Sequence, residues 1–335
     1  MSTVSAERGV YLEAYLRPLA DWLGRPDVTD ILINAPGEVW IETLGGETEC
    51  HPAPELTETA LWRLATQIAS LAHQGVNREN PLLAATLPDG ARVQIVAPPA
   101  TRGPMAIAIR KHVVTDLTLD DYDAAGAFDT ARSVSLHDGF DEDADLEEAL
   151  HAGDMASFLR LAVQRRKNII ISGGTSTGKT TFLNALIKAI PQKERLIVIE
   201  DTNEVRLDHP NSIGLIAVRG TLGEARVTVE DLLQASLRMR PDRIILGELR
   251  GAEAYSFLRA VNSGHPGSIT TVHADSPKAA VEQIALMVMQ AGANLSRGEI
   301  IEYVGGVVDI AIQLTRRDGR RLVSELAFRS KRVAR

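Results

Sequence analysis

The chain has 335 residues, of which 44% are hydrophobic, 24% are charged and only 4% are aromatic. This composition is ordinary for a globular protein, and the length is enough for about two domains. The formal net charge of −8 argues against a protein whose main task is sequence-independent binding to duplex DNA, because such proteins carry basic surfaces that neutralise phosphates.

The cysteine content and the N-terminal segment indicate the cellular compartment in which the protein works. Cys50 is the only cysteine, so no disulfide can form within the chain and no oxidising compartment is implied. Residues 1–16 lack the charged and apolar regions of a signal peptide, and no run of about 18 apolar residues occurs. We therefore expect a cytoplasmic protein without a transmembrane segment.

Residues 1–111 alternate between short helical and strand patterns, which predicts a small N-terminal α+β domain. Apolar residues recur at helical spacing in two places, and four segments show strand patterns separated by turns. The predicted elements are helices over residues 12–23 and 56–72 and strands 30–34, 38–42, Arg92–Val96 and Ala106–Arg110.

Residues 112–153 are acidic and rich in alanine, aspartate and glycine. This change of composition predicts an interdomain linker that carries at most short helices. A surface insertion within one domain is the alternative.

From residue 154 to residue 335, short apolar strands alternate with helices. This pattern is typical of a mostly parallel sheet that is covered on both faces. The predicted strands are 168–172, 195–200, 243–248 and 268–272; the helices are 155–165, 179–190, 228–239, 251–261 and 278–289; and a closing hairpin pairs 307–314 with 321–328.

A phosphate-binding loop follows the first of these strands. Its residues match G-x-x-x-x-G-K-[ST] and are Gly173, Gly174, Thr175, Ser176, Thr177, Gly178, Lys179 and Thr180. Glycines let backbone N–H groups surround phosphates at a helix N-terminus. Lys179 can reach the β- and γ-phosphates, the Thr180 hydroxyl can bind Mg²⁺, and Thr181 extends the predicted nucleotide-binding set. The motif predicts ATP binding.

Acidic residues follow two other apolar strands. Strand 195–200 leads to Glu204, and strand 243–248 ends at Glu248. ATP hydrolysis needs a carboxylate for the metal and another for water, and parallel sheets bind ligands beyond the carboxyl ends of their strands. A lone acid in such a position is usually a helix cap or solvated, but two acids in this order after a P-loop favour catalysis.

Two histidines flank the strand 268–272. His273 follows it and could donate a hydrogen bond to a γ-phosphate, although a single histidine there is more often structural. His265 lies in a Gly/Pro-rich loop and could be purely conformational.

Taken together, these motifs resemble the hexameric ATPases of the type II/type IV secretion superfamily. The resemblance is carried by the P-loop and by residues 199–205, 232–251 and 263–275, which resemble an Asp box, a Walker B segment and a His box, and by residues 87–99 of the N-terminal domain. It is strongest to the type IV secretion and conjugation branch. The single cysteine excludes the tetracysteine insertion of some related pilus and type II ATPases.

The resemblance implies a RecA-like P-loop domain and a role for each candidate residue. Lys179 is implied to act in catalysis and to bind phosphate. Glu204 is implied to be the general base. Thr180 and Glu248 are implied to hold Mg²⁺, and His273 to contact the γ-phosphate.

The family also places its nucleotide between the two domains. The resemblance therefore implies that Arg92 and Arg110 reach the phosphates from the N-terminal domain, so that turnover opens and closes the two domains. Arg238 and Arg240 precede the Walker B strand and are further candidates for contact with the nucleotide or a neighbouring subunit.

The implied function is that of a homo-hexameric, Mg²⁺-dependent ATP-hydrolysing motor at the cytoplasmic face of the inner membrane. It would act with other secretion-system components on protein or protein–DNA substrates, or in pilus biogenesis, without sequence-specific nucleic-acid binding. A pilus-assembly or type II secretion ATPase is the alternative within the superfamily. Outside it, a small-molecule P-loop kinase and a nucleotide-gated scaffold remain open, while the acidic balance disfavours a helicase.

Overall fold

A computed structural model describes residues 11–111, 118–124, 126–129, 143–218 and 224–329. These residues form two sheets, one of six strands near the N-terminus and one of seven strands in the remainder. Each sheet has apolar side chains on the faces that helices cover.

The N-terminal sheet has the strand order β3-β2-β1-β6-β5-β4, and every neighbouring pair is antiparallel. Its strands are β1 (Val28–Ile33), β2 (Gly37–Thr43), β3 (Thr48–Ala53), β4 (Leu82–Thr86), β5 (Arg92–Val96) and β6 (Ala106–Arg110). We did not predict β3, which is polar and contains Pro52, or β4, which is short and rich in alanine.

Helices cover one face of this sheet. Residues 11–24 are helical, with a 3-10 turn over Arg17–Leu19 where Pro18 lacks an N–H, and end in α1 (Ala20–Gly24). The second helix, α2 (Glu58–Leu71), begins at Thr57, whose side chain accepts a hydrogen bond from the N–H of Ala60. Both predicted helices are therefore present.

The C-terminal sheet has the strand order β13-β12-β7-β11-β10-β8-β9 and is parallel apart from the β12–β13 hairpin. Its strands are β7 (Ile169–Gly173), β8 (Leu196–Glu200), β9 (Ser212–Ile216), β10 (Arg243–Leu249), β11 (Ile269–Val272), β12 (Ile310–Arg317) and β13 (Arg320–Phe328). The predicted α/β class and mostly parallel sheet are confirmed. Only the edge strand β9 was not predicted.

Helices lie on both faces of the parallel sheet. The described helices that follow α2 are α3 (Leu119–Ala124), α4 (Ala144–His151), α5 (Met155–Gln164), α6 (Lys179–Ile187), α7 (Val229–Ser236), α8 (Glu253–Asn262), α9 (Pro277–Gln290) and α10 (Arg297–Val307). We did not predict α10, although Ser296 and Glu299 form a capping box at its start. The predicted hairpin strand 307–314 consequently begins too early, because Val307 is the last residue of α10 and β12 begins at Ile310.

Helix α4 lies inside the predicted linker 112–153 but packs on the P-loop domain. Its Leu146 is fully buried in the same apolar cluster as Phe158. Just before it, Asp143 forms a buried ion pair with Lys167. The packing of the P-loop domain thus begins at Asp143, earlier than the predicted boundary at residue 154. Residues 112–117, 125 and 130–142 of the predicted linker lie outside the described residues.

We expect Leu146→Ala to lower the free energy of unfolding by about 2–5 kcal/mol, because it leaves a cavity in the core. Denaturant titration followed by circular dichroism measures this change. Leu119→Ala is the control: that residue is 76% exposed, so loss of its side chain should change the free energy of unfolding by less than about 0.5 kcal/mol. Equal stabilities of the two variants would contradict the assignment of α4 to the P-loop domain.

The two domains pack closely against each other. Leu32 and Val96 of the N-terminal sheet belong to the same apolar cluster as Ile197 of β8. The fully buried Arg195 donates to Asn34 Oδ1 at 2.8 Å, and burial lowers the pKa of its guanidinium to about 9. Arg240 forms an ion pair with Glu42 across the same boundary. Polar and apolar contacts therefore hold the two domains together.

Candidate active site

The P-loop connects β7 to helix α6. A side chain at Gly173 would meet Thr177 Oγ1 at 2.5 Å and the carbonyl oxygen of Leu314 at 2.9 Å, so only glycine fits there. Gly178 has a φ of +93°, a left-handed conformation that glycine adopts at little cost. Thr177 Oγ1 donates to the carbonyl of Gly174 at 2.8 Å and closes the loop. The sequence motif thus forms a narrow cradle at a helix N-terminus.

A cavity of 480 Å³ opens above this cradle, a volume suited to a small-molecule ligand. It is bounded by the P-loop and by the carboxyl ends of β8, β10 and β11. The predicted residues that line it are Gly174, Thr175, Ser176, Thr177, Gly178, Lys179, Thr180, Thr181, Glu204, Glu248 and His273. Strands far apart in the sequence thus bring the predicted acids and the histidine to the P-loop.

Lys179 lies at the base of the cavity. Its Nζ donates to the carbonyl oxygens of Gly173 at 2.9 Å and Gly174 at 3.3 Å. Burial lowers the pKa of this ammonium group, and the nearby Glu248 acts in the opposite direction. A partly desolvated cation in this position can bind phosphate strongly, because little water competes with the ligand.

Glu248 lies among three nitrogen-bearing side chains. Its Oε1 is 2.9 Å from His273 Nε2 and 3.9 Å from Lys179 Nζ, and its Oε2 pairs with Arg250. Hydrogen bonding to Glu248 raises the pKa of Arg250, which also pairs with Asp201 at 3.3 Å. This carboxylate therefore connects β10 to the His273 end of β11.

Glu204 faces the start of helix α6, where Thr180 Oγ1 donates to its Oε2 at 3.0 Å. Hydroxyl and carboxylate oxygens of Thr180, Glu204 and Glu248 therefore surround the end of the P-loop. Mg²⁺ prefers such oxygen ligands and commonly uses one or two carboxylates together with substrate phosphates. The described residues contain no cluster of three or more histidine, cysteine, aspartate or glutamate side chains that would hold a metal alone. The donor set fits a Mg²⁺ ion that arrives with a nucleotide.

Sequence reasoning gave no role to four charged residues of the cavity wall, namely Glu200, Asp201, Arg250 and Arg321. Glu200 ends the predicted strand 195–200, Asp201 opens the acidic run that follows it, and Arg250 lies two residues after the predicted strand 243–248. Arg321 had no local signal, because it reaches the P-loop only through the pairing of β12 with β7. Its Cδ would lie 2.8 Å from a β-carbon on Gly178.

Arg92 and Arg110 do not line this cavity. They face each other across β5 and β6 and line a second cavity of 250 Å³ together with Arg238. Arg110 Nε also donates to Asp30 Oδ1 at 2.9 Å. Within one chain, the structure therefore does not bring the two predicted arginines to the P-loop.

The remaining candidates have local partners. Arg240 pairs with Asp242 and with Glu42 of the N-terminal sheet, and it lies outside the P-loop cavity. His265 Nδ1 lies 3.0 Å from the carbonyl oxygen of Ala260, near the end of α8. These contacts hold structural elements together.

Comparisons with known proteins bear on the identity of the site. Residues 144–330 match the family described as type II/IV secretion system protein. This chain belongs to that family. The type IV secretion system protein VirB11 of Bartonella henselae is 38% identical over 98% of this chain and 96% of its own length. PtlH of Bordetella pertussis, also a type IV secretion system protein, is 38% identical over 98% of both chains.

A solved structure extends the family assignment to the whole fold. The crystal structure of the VirB11 ATPase from the Brucella suis type IV secretion system, in complex with sulphate, matches with a TM-score of 0.90 and 38% identity. The match covers 97% of this chain and 96% of that one. The predicted resemblance and RecA-like fold class are thus confirmed, and the chain is an ATP-hydrolysing enzyme of this family.

We expect Arg321→Ala to raise the KM for ATP about tenfold while kcat changes little. Its guanidinium lines the cavity and has no ion pair within the described part of the chain, so it is available to an anionic ligand. One charge-assisted hydrogen bond contributes about 1.5 kcal/mol, or about tenfold in affinity. Steady-state kinetics measures the change. Arg320→Ala, on the opposite face of the strand, should leave KM unaltered; an equal rise in KM for both variants would exclude a specific contact.

Proposed function

We propose that this chain is the motor ATPase of a bacterial type IV secretion or conjugation system and that it works as a homo-hexamer with ATP and Mg²⁺. One observation supports this most directly: a P-loop cavity that gathers Lys179, Glu204, Glu248 and His273 in a chain that matches a VirB11 ATPase over nearly its full length.

The arrangement of these side chains supports a role for each in transfer of the γ-phosphoryl group of ATP to water. Lys179 and the P-loop N–H groups bind the β- and γ-phosphates. Glu204 accepts a proton from the attacking water. The water oxygen bonds to the γ-phosphorus, and the bond between the γ-phosphorus and the β–γ bridging oxygen breaks. Thr180 and Glu248 would hold Mg²⁺, and a bound Mg²⁺ would neutralise charge on the phosphate oxygens.

His273 is proposed to contact the γ-phosphate. Lys179 Nζ lies 3.4 Å from His273 Nδ1 and 3.5 Å from His273 Nε2, and Glu248 Oε1 lies 2.9 Å from His273 Nε2. A phosphate that draws Lys179 toward itself alters this cluster. Loss of the γ-phosphate then changes the contacts at the end of β11, which supports a link between turnover and movement.

Arg92 and Arg110 are proposed to bind phosphates of a nucleotide held by a neighbouring subunit. The close packing of the two domains supports contact between subunits rather than within one, because the arginines line a cavity separate from the P-loop. Arg238 lines the same second cavity and would assist them.

A mixing experiment tests this proposal. We expect Arg92→Ala and Lys179→Ala each to lose most turnover alone, since each removes a cation from every composite site. Mixed after dissociation, the two variants should regain activity, because some neighbours then combine an intact Lys179 with an intact Arg92. Phosphate release measures the recovery. Activity of the mixture equal to the mean of the separate variants would place Arg92 and Lys179 in one subunit's site.

No helix within the described ranges is long and apolar enough to cross a membrane. Because its relatives are type IV secretion system proteins, we propose that the protein is peripheral at the cytoplasmic face of the inner membrane and attaches through other components of the secretion system. Protein or protein–DNA complexes are the proposed cargo, without sequence-specific binding of nucleic acid by this chain.

Light scattering with and without ATP and Mg²⁺, alongside phosphate release in the absence of any acceptor, tests the motor. We expect a six-subunit mass and steady phosphate release. Release without an acceptor excludes a small-molecule kinase. Nucleotide binding without any phosphate release would support a nucleotide-gated scaffold, and a stable monomer without turnover would overturn the proposal.

A further inference from the structure

A loop of the N-terminal domain contacts the segment that carries Glu204. This loop joins β5 to β6 and runs along the edge strand β9 of the P-loop sheet. The N–H of Arg102 donates to the carbonyl of Gly214 at 2.9 Å, and the N–H of Ile216 donates to the carbonyl of Ala100 at 2.9 Å. The loop thus continues the parallel sheet by one antiparallel bridge, between Thr101 and Leu215.

The side chain of Arg102 extends from this loop toward residues 199–205, the Asp box. Its Nη1 donates to the carbonyl oxygen of Val205 at 2.6 Å, and its Nη2 forms an ion pair with Glu200. The Arg102 side chain is 12% exposed and the Glu200 side chain is 3% exposed. Burial lowers the pKa of Arg102 to about 10, so the group remains charged at neutral pH.

Glu200 in turn holds the backbone of the Asp box. Its Oε1 accepts hydrogen bonds from the N–H groups of Glu204 at 3.2 Å and Val205 at 2.8 Å. Its side chain packs so closely on β10 that a β-carbon on Gly247 would lie 3.0 Å from Glu200 Cγ. The backbone of Glu204 is therefore fixed by a carboxylate whose counter-ion comes from the other domain.

We propose that Arg102 and Glu200 form an interdomain clamp that positions Glu204 for catalysis. Through Glu200 and Val205, docking of the N-terminal domain fixes the segment from which the Glu204 carboxylate reaches Thr180. Arg102 is a positioning residue: it acts through the Asp box and contacts neither the nucleotide nor the attacking water. The inference rests on the proposed role of Glu204 as the general base.

Four variants test the clamp. Arg102→Ala removes the cation. Gly214→Ala keeps the cation but displaces it, because the new β-carbon would lie 2.3 Å from Arg102 Cδ. Arg102→Lys keeps the positive charge but lacks the bidentate hydrogen-bonding geometry of the guanidinium group. Arg78→Ala is the control, because Arg78 and Glu224 also pair across the domains but are 60% and 58% exposed and lie away from the cavity.

We expect Arg102→Ala and Gly214→Ala to lower kcat about 100-fold, since misplacing a catalytic group by about 1 Å has that effect. KM for ATP and affinity for a non-hydrolysable ATP analogue should stay near wild type. Arg102→Lys should recover part of kcat, and Arg78→Ala should match wild type. The double variant Gly214→Ala, Arg102→Ala should be no slower than either single variant.

A double-mutant cycle with Glu204→Gln shows whether Arg102 acts through Glu204. We expect Arg102→Ala to cause no further loss in the Glu204→Gln background. Additive losses, or a loss of analogue affinity, would overturn the clamp and assign Arg102 to the phosphates. A lower melting temperature with unchanged kcat would reduce the pair to a structural role. If Glu204→Gln itself keeps full turnover, the proposed base fails; if only the Arg102 variants keep it, the clamp alone fails.

Discussion

Lys179→Ala is expected to lower ATP turnover by at least about 100- to 1,000-fold. In phosphoryl transfer the protein mainly stabilises charge and contributes little covalent chemistry. Loss of a preorganised hydrogen-bond donor therefore directly destabilises the transition state. Lys179 is the P-loop's own cation, and it lies partly desolvated beside the carbonyl groups of Gly173 and Gly174. Phosphate release at saturating ATP and Mg²⁺ measures the loss.

Lys193→Ala is the matched control, because Lys193 is an exposed lysine in the turn between α6 and β8 and lies outside the cavity. It should hydrolyse ATP at the wild-type rate. Circular dichroism of the Lys179 variant separates lost catalysis from lost folding. A folded Lys179→Ala protein with undiminished turnover would be incompatible with the proposed site.

Glu204→Gln is expected to lower kcat by about 100- to 10,000-fold while ATP still binds. An amide has the size of the carboxylate and can still accept the hydrogen bond of Thr180 through its oxygen, but it cannot take a proton from water. Equilibrium binding of ATP, measured beside single-turnover hydrolysis, separates the two effects.

Asp208→Asn provides the comparison for that variant. Asp208 is an exposed carboxylate that follows the Asp box and lies outside the cavity wall. The variant removes one negative charge from nearby surface and should leave kcat intact. Equal losses in both variants would point to a general change in electrostatic potential, and the assignment of Glu204 as the base would then be withdrawn.

Local patterns were sufficient to predict the core of the fold. Strands such as β8 and β10 are continuous apolar segments, and their burial on both faces requires this pattern. The edge strands β3, β4 and β9 are short, polar or rich in small residues, because only part of each is covered. Their pairing depends on neighbours that no local pattern reveals.

The residues of the site also fall into two groups: those that local sequence patterns predict and those that depend on distant parts of the chain. The P-loop, Glu204, Glu248 and His273 could be predicted because each lies at or just beyond the carboxyl end of an apolar strand, and a parallel sheet brings these strand ends together. Arg321 and Arg102 could not be predicted, because both depend on long-range contacts. Arg321 reaches the cavity through the β12–β13 hairpin, and Arg102 reaches the Asp box through domain docking.

The bridge between the β5–β6 loop and β9 has a consequence for solubility. Strand β9 ends the parallel sheet, and an uncovered edge strand offers unpaired N–H and C=O groups to other chains. The backbone bonds at Gly214 and Ile216 cover this edge with the chain's own N-terminal domain. A P-loop domain produced alone therefore loses this protection and is expected to aggregate through β9, whereas the intact chain blocks that route to self-association.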